Sequence, residues 1–469
     1  MRFDGKRGYW HMTALEKYLE SIQGKRIAVI GAGVSNTPLI ALLREAGLPV
    51  TVHDKKEADA LGTRYTELAA LGVSFSLGED YLDYLSEDIV FRTPGLHPEH
   101  PALCEVRARG GVVTSEMELF FAVCPCPIIG ITGSDGKTTT TTLTYEFLKH
   151  AGYTCHLGGN IGKPLLPEVA AMQPEDLAIV ELSSFQLMGM QHSPAVAAIT
   201  NLTPNHLDYH KDFDEYVHAK TAIYTNQKPG DKLVINLDDP VTGTLTLPEE
   251  RTVWGCTKQG VPETGVYLKD GVIYISEDGK HRPLMHADHI RIPGAHNVSN
   301  VMMAAAIVQG RCADRDIIEV AQTFGGVEHR IEFVREFEGV KYYNDSIASS
   351  PTRTIAGLNA FEQKLILIAG GYDKHIPYDV LGEPICKHVS KLILTGDTAV
   401  KIRACVEQAA GMDKPEIIDV PNMAAAVRAA YSVAREGDIV MLSPASASFD
   451  CFKNFMERGD TFKKLVCEL

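Results

Sequence analysis

The sequence predicts an α/β protein of three domains, spanning about residues 1–120, 121–326 and 327–469. Two observations carry that expectation. Apolar runs of strand length alternate with helical patterns along the whole chain, the mark of largely parallel sheets joined by helices. Many of those runs end in small or polar residues, as strands do where open α/β sheets meet ligands at their carboxyl ends. A chain of 469 residues is long enough for two to four such cores.

The first domain opens with Lys25-Arg-Ile-Ala-Val-Ile-Gly31-Ala-Gly33-Val-Ser35-Asn36, a strand feeding a Gly-x-Gly turn and a helix. The next strand, Pro49-Val-Thr-Val-His-Asp54, ends on an acid where a ribose contact would fall, with Lys55 after it. This predicts a Rossmann-like nucleotide domain. Asn36 stands where a dinucleotide fingerprint has its third glycine, so NAD is not expected. Asp88-Ile-Val-Phe runs into Thr93-Pro-Gly95, a second strand-end loop on the same face.

The second domain holds the most informative segment, Pro127-Ile-Ile-Gly-Ile-Thr-Gly133-Ser134-Asp135-Gly136-Lys137-Thr138-Thr139. Glycines let backbone N–H groups converge on an anion, the next helix offers its N-terminus, and Lys137 neutralises phosphate charge. The Thr138 hydroxyl can sit on Mg²⁺. The standard loop has a glycine where this chain has Ile131, so this is not the ordinary P-loop of motors and switch GTPases.

Leu177-Ala-Ile-Val-Glu181 ends on a carboxylate that can hold Mg²⁺ facing the cradle; a helix cap or surface acid is the plain alternative. His206-x-Asp208-x-His210 has the look of a metal cluster, but alternate residues need not converge, and His206 alone is the better candidate for a Mg²⁺ or phosphate contact. Lys220 lies in an amphipathic helical pattern, where a lysine is by default solvated. Short strands fill roughly 250–292. An Ala/Met-rich helix then follows Asn297 and contains Asn300, and capping is the plain reading of both asparagines.

The third domain starts around Val327. Arg330 can reach a phosphate with its planar fork or form an interdomain salt bridge. Asn344-Asp345-Ser346, Gly370-Gly371-Tyr-Asp-Lys374 and Ser443-Pro-Ala-Ser-Ala-Ser448-Phe449 are small polar loops after strands, which admit a substrate close to the backbone or simply turn.

A formal charge of −15 argues against bulk nucleic-acid or anionic-membrane binding. No apolar run is long enough to span a bilayer, and the first twelve residues do not read as a signal peptide. Ten scattered cysteines read as reduced thiols of a cytoplasmic protein, and Cys124-Pro-Cys126 has the wrong spacing for a zinc knuckle.

Taken in order, these segments resemble the Mur ligases, ATP-dependent amino-acid-adding enzymes of peptidoglycan precursor synthesis. The resemblance rests on the short cradle, Gly158-Gly-Asn160-Ile-Gly, Glu181-Leu-Ser-Ser-Phe-Gln-Leu187, Asn344-Asp-Ser and Leu442-Ser-Pro-Ala-Ser-Ala-Ser-Phe-Asp450 with Phe452-Lys-Asn-Phe455, and it runs from about residue 20 to the C-terminus. Within the family the segments look most like the D-glutamate-adding branch.

The resemblance implies a UDP-binding first domain, a central ATPase and a Rossmann-like amino-acid-binding third domain in a cytoplasmic monomer. The substrates would be ATP, UDP-N-acetylmuramoyl-L-alanine and D-glutamate, with two Mg²⁺ ions. It places phosphate contacts at Gly133–Thr139, ATP contacts at Asn300, Arg330 and Asp345, and metal positions at Thr138, Glu181 and His206. Lys220 matches a carbamylated lysine, which would turn a cation into an anionic metal ligand and reverses the plain reading. Ser35, Asp54, Lys55, Thr93, Gly95 and Asn160 fall at positions for the UDP substrate, and Ser349, Lys374, Ser448, Phe449 and Phe455 at those for D-glutamate. Lys137, His206 and Lys220 would be catalytic. One departure stands out: many members have lysine where this chain has Ile347, so a basic group that could hold an acceptor carboxylate is absent there. The rivals are a diaminopimelate- or lysine-adding ligase, a folylpolyglutamate synthase, and a nucleotide-dependent switch without ligation.

Overall fold

The computed structural model describes residues 2–4, 9–206, 209–247, 251–374, 376–409, 411 and 413–469. Its described residues form three large α/β sheets and a small antiparallel ribbon of Arg2–Asp4 with Tyr9–His11.

The first sheet has five parallel strands in the order Ser74–Leu77, Val50–Asp54, Ile27–Ile30, Ile89–Phe91, Val112–Thr114. The strand order reverses between Ile27–Ile30 and Ile89–Phe91, and crevices form at such switch points. Helix Asn36–Glu45 buries Leu39, Ile40 and Leu43. Each such side chain contributes about 1.5–3 kcal/mol when fully removed from water.

The second sheet has nine strands, with Ile128–Thr132 between Val196–Ile199 and Leu177–Glu181. These three are fully buried and read as continuous apolar runs, as parallel strands covered on both faces do. The expected short strands of 250–292 are Thr252–Thr257, Gly265–Lys269, Val272–Glu277 and Lys280–His286, and Val272–Glu277 pairs antiparallel with both Gly265–Lys269 and Lys280–His286. Helix Ala295–Val308 is buried from Asn300 onward, as its Ala/Met composition implies.

The third sheet runs Glu332–Phe337, Val340–Asn344, Ile439–Leu442, Leu365–Ala369, Val389–Leu394, Glu416–Asp419, parallel except for its first strand.

One apolar cluster continues from Ile27, Val29 and Phe91 through Phe120 and Leu166 to Val180, Ile199 and Ile235. The first two sheets accordingly share one compact unit, Met1–Ala287 with Ser299–Val320, and the expected boundary near residue 120 falls inside it. The third sheet lies in the other unit, Asp288–Val298 with Ala321–Leu469, and has its own apolar clusters. Among the described residues, no helix is long and apolar enough to cross a membrane.

Candidate active site

Strand Ile128–Thr132 delivers the chain into the loop 133–136, and helix Lys137–His150 starts immediately after it. Gly133 and Gly136 take φ of +145° and +77°. A Cβ at Gly133 would collide with Thr200 Oγ1, and one at Gly136 with Asn300 Oδ1. Both positions therefore require glycine for backbone conformation and for space.

Neighbouring strand ends brace the loop. Ser134 Oγ donates to Thr203 O at 2.9 Å and lies 2.8 Å from Tyr216 OH. Asp135 N donates to Asn201 Oδ1 at 2.9 Å, and Thr200 Oγ1 and Asn201 Nδ2 donate to Asp135 O. Lys137 Nζ folds back onto the carbonyls of Gly133 and Ser134 at 2.9 and 2.8 Å. Thr138 and Thr139 are half-buried in the first helical turn. Asn300 is buried behind the loop, accepting from Thr140 Oγ1 at 3.4 Å.

Glu181 ends the adjacent strand and is 1% exposed. Its Oε1 accepts from Asn160 Nδ2 at 2.9 Å, while Oε2 is buried without a hydrogen-bond partner. A buried, unpaired carboxylate oxygen is costly unless a cation completes it. With hydroxyl and carboxylate donors to hand, the site fits a hard cation such as Mg²⁺.

Helix Phe213–Thr225 packs against strands Val196–Ile199 and Ile128–Thr132. It buries Lys220 to 2% exposure, against the default of a solvated helix lysine. Lys220 Nζ donates to Thr132 Oγ1 at 3.2 Å and lies 4.9 Å from the Tyr216 ring. Burial first, then the charge of Lys137, pushes its amine down to about 6, with Glu181 and Asp135 acting in the opposite direction.

His206 is exposed, in a left-handed turn at φ +54°, with its ring 4.9 Å from Phe185. Asp208 lies outside the described residues. His210 is buried, with Nε2 at 2.9 Å from Ser184 Oγ and its ring stacked on Phe185. Among the described residues, the grouping close enough to hold a metal is Glu328, His329 and Asp460, in the second unit. There Lys463 Nζ already lies 2.6 Å from Glu328 and 3.1 Å from Asp460.

On the first sheet, Asp54 spends its oxygens on Ala32 N and Lys56 N, bracing the Gly31–Gly33 turn. Asn36, in place of a third glycine, donates to the carbonyls of Ile30 and Gly31. Ser35 and Asn36 line a small cavity with Arg92, Glu116 and Gln186. Thr93 sits against Gly31, Gly95 has open space above it, and Lys55 is exposed, 3.5 Å from Glu79. Sequence reasoning missed Arg92, whose guanidinium donates to the carbonyls of Phe185 and Met188 and ties the two sheets together.

In the second unit, Asp345 is buried. Its Oδ2 accepts from Ser443 Oγ at 2.7 Å, and its Oδ1 from Ile331 N at 3.3 Å. Burial pushes its carboxyl up to about 7, opposed by Ser443, Ile331 and then Arg330, which is half-buried. Lys374 Nζ stands 5.9 Å from the Phe449 ring, which is 60% exposed and meets Tyr372 at 6.0 Å. Ser448 is buried, its carbonyl capping Cys451 N and Phe452 N. Phe455 opens helix Phe455–Cys467 and meets His329 edge-on. Ser349 is half-buried, with its N and Oγ both on the Ile347 carbonyl. Arg458, also missed, is buried and donates to Ser346 Oγ and to the carbonyls of Ser346, Ser446 and Ala447, joining two of the strand-end loops.

Comparison with known proteins decides the family. The Mur ligase middle domain matches residues 131–308 and the Mur ligase, glutamate ligase domain matches 329–446. A UDP-N-acetylmuramoylalanine--D-glutamate ligase of Acetivibrio thermocellus is 49% identical over 461 residues, covering 97% of this chain and 98% of the relative. The protein of that name from Clostridium novyi is 46% identical over 460 residues, covering 97% and 99%. This chain belongs to the Mur ligase family.

Solved Mur ligases share the fold at low identity. UDP-N-acetylmuramate-alanine ligase from Thermotoga maritima superposes with TM-score 0.54 at 17% identity, covering 95% of this chain and 99% of that one. MurF ligase from the same organism, in complex with ADP, gives 0.53 at 16%, covering 96% and 97%. In this Mur ligase the cradle, Glu181, Asn160 and Lys220 gather in the first unit, while Asp345, Ser349, Lys374, Ser448 and Phe455 follow strands or open a helix in the second.

Proposed function

We propose that this Mur ligase uses ATP to join D-glutamate to UDP-N-acetylmuramoyl-L-alanine in peptidoglycan precursor synthesis, releasing ADP and phosphate. Support comes from full-length relatives that bear the name of that ligase. The structural observation that carries the chemistry is the buried pair beside the cradle: Glu181 with an unpaired oxygen, and Lys220, 2% exposed, whose amine burial pushes down to about 6.

Joining a carboxylate to an amine in water is uphill. Transfer of the ATP γ-phosphoryl to the alanine carboxylate gives an acyl phosphate, the D-glutamate amine attacks it, and phosphate leaves. The cradle N–H groups and Lys137 bind the phosphates and stabilise charge on the transferring group. Thr138, Glu181, His206 and a carbamylated Lys220 would hold two Mg²⁺ ions, which when bound neutralise developing phosphate charge. Only a neutral amine adds CO₂, losing a proton to give the carbamate anion, and burial of Lys220 favours the neutral amine. Asn160 orients Glu181 and meets the sugar substrate. Asn300, Arg330 and Asp345 serve ATP, and Ser35, Asp54, Lys55, Thr93 and Gly95 the UDP group. Ser349, Lys374, Ser448, Phe449 and Phe455 receive D-glutamate. The working domains are 1–120, 121–326 and 327–469, in a cytoplasmic monomer.

The test is phosphate release with UDP-N-acetylmuramoyl-L-alanine and, in turn, D-glutamate, L-glutamate, L-lysine and diaminopimelate. D-Glutamate alone should trigger turnover; release driven by lysine or diaminopimelate instead would overturn the reading.

A further inference from the structure

D-Glutamate brings two carboxylates to a protein of net charge −15, so its site needs focused cations. Ile347 is apolar where a basic side chain would serve. The cations near the strand ends of the second unit differ in what they have left to give. Arg458 is 2% exposed and spends its donors on Ser346, Ser446 and Ala447. Lys463 is enclosed by Glu328, Glu332 and Asp460. Lys401 pairs with Asp373, and Arg403 with Asp419. Arg353 is different. It is exposed in the first turn of helix Pro351–Leu358, and among the described residues no acidic side chain pairs with it.

Arg353 is not loose, however. Its Nη1 donates to the Ile347 carbonyl at 3.2 Å, the atom that also receives Ser349 N at 2.8 Å and Ser349 Oγ at 3.2 Å. Arg353 and Ser349 therefore converge on one carbonyl, beside the buried Asp345 whose carboxyl Arg353 helps to lower. One bond to the backbone orients the planar fork and leaves its other edge for a carboxylate, the geometry in which arginine binds anions best.

We infer that Arg353 is the specificity residue that holds one carboxylate of D-glutamate, in place of the basic side chain missing at Ile347. The inference rests on the proposed D-glutamate ligation and names the cation that reaction uses. Lys374 and Arg353 together then match the two charges of the acceptor.

The full-length enzyme is assayed by phosphate release with D-glutamate, D-glutamine and D-isoglutamine, the amides lacking the side-chain or the α-carboxylate charge. Arg353→Ala should raise KM for D-glutamate by about tenfold or more, the worth of one charge-assisted hydrogen bond. KM for ATP and for the UDP substrate should hold, and preference for D-glutamate over one of the two amides should collapse, which identifies the carboxylate held. Arg353→Lys, and Ile347→Lys placed in the Arg353→Ala background, should each restore part of that preference. Unchanged KM and preference in Arg353→Ala overturn the inference, as does a fall in kcat or Tm with preference intact, which marks bracing of Ile347 alone. A wild-type enzyme that ignores D-glutamate defeats the functional reading itself, before any variant is compared.

Discussion

Lys220 Nζ donates to Thr132 Oγ1 across 3.2 Å, and Thr132 Oγ1 in turn donates to Leu182 O at 2.7 Å. That chain of two bonds joins the helix carrying the lysine, the strand entering the cradle and the segment just after Glu181. It fixes the Lys220 amine, the Glu181 carboxylate and the phosphate loop in one register. Hydrogen bonds of this kind, made behind the groups that ligate a metal, set their orientation.

If the carbamate of Lys220 is the anion the site needs, Lys220→Ala is nearly inactive and a short carboxylic acid restores part of the activity. The measurement is phosphate release with and without formate or acetate at constant ionic strength. An alanine variant of normal rate removes the role of Lys220, and one that no carboxylate rescues shows that a carbamate is not the anion the site uses.

The buried amine has a consequence for stability. Its value falls from 10.5 to about 6 in the folded chain, so the unfolded chain binds the proton more readily between those limits. Stability from this group therefore rises with pH across the window and is lowest below about 6. In bicarbonate-free buffer, Lys220→Met should be more stable than wild type at pH 7, and the gap should shrink toward pH 10. Paired thermal melts across that range check it; a constant gap would mean Lys220 titrates as it does in water.

The cradle was legible because its demands are local: Gly133 and Gly136 are required by positive φ and by atoms close overhead. The strand ends were legible too, because continuous apolar runs stop where a buried parallel strand stops. Lys220 was not, since the helical pattern does not say which face meets strand Ile128–Thr132, and only that packing turns a solvated lysine into a buried one. Arg92 and Arg458 were invisible for a related reason: the Phe185 and Met188 carbonyls that Arg92 reaches lie 93 and 96 residues away in the chain, and Ser346, which Arg458 holds, lies 112 away. The single unit formed by the first two sheets depends on apolar contacts such as those of Phe120 and Leu166, whose composition resembles that of any core.

Glu181→Gln keeps an oxygen for Asn160 and removes the charge on the unpaired side. The fold should survive, and the Mg²⁺ concentration for half-maximal turnover should rise by about 10–100-fold, the range for disturbed metal shells. Mg²⁺ titrations of phosphate release decide it; an unshifted midpoint would leave Glu181 a structural acid.

Lys137 is held on the Gly133 and Ser134 carbonyls, poised at the loop mouth. Lys137→Ala should cut turnover by about a hundredfold or more, as loss of a transition-state donor does, with little change in Tm. Near-normal turnover would take the phosphate role away from this loop.

Asp345 tests the second unit. Its folded value of about 7 lies above the ordinary 3.8, so between those limits the folded chain holds the proton and the unfolded chain does not. Stability from this group is present at low pH and is lost as pH rises through about 7. Asp345→Asn should therefore match wild type near pH 4 and exceed it at pH 8, because the neutral amide no longer carries a buried charge. Activity should fall in the same variant if the carboxylate serves ATP. Melts at pH 4, 6 and 8, beside the KM for ATP, separate the outcomes: equal stability throughout would show Asp345 ionised and compensated by Arg330, and an unchanged KM would confine it to bracing Ser443.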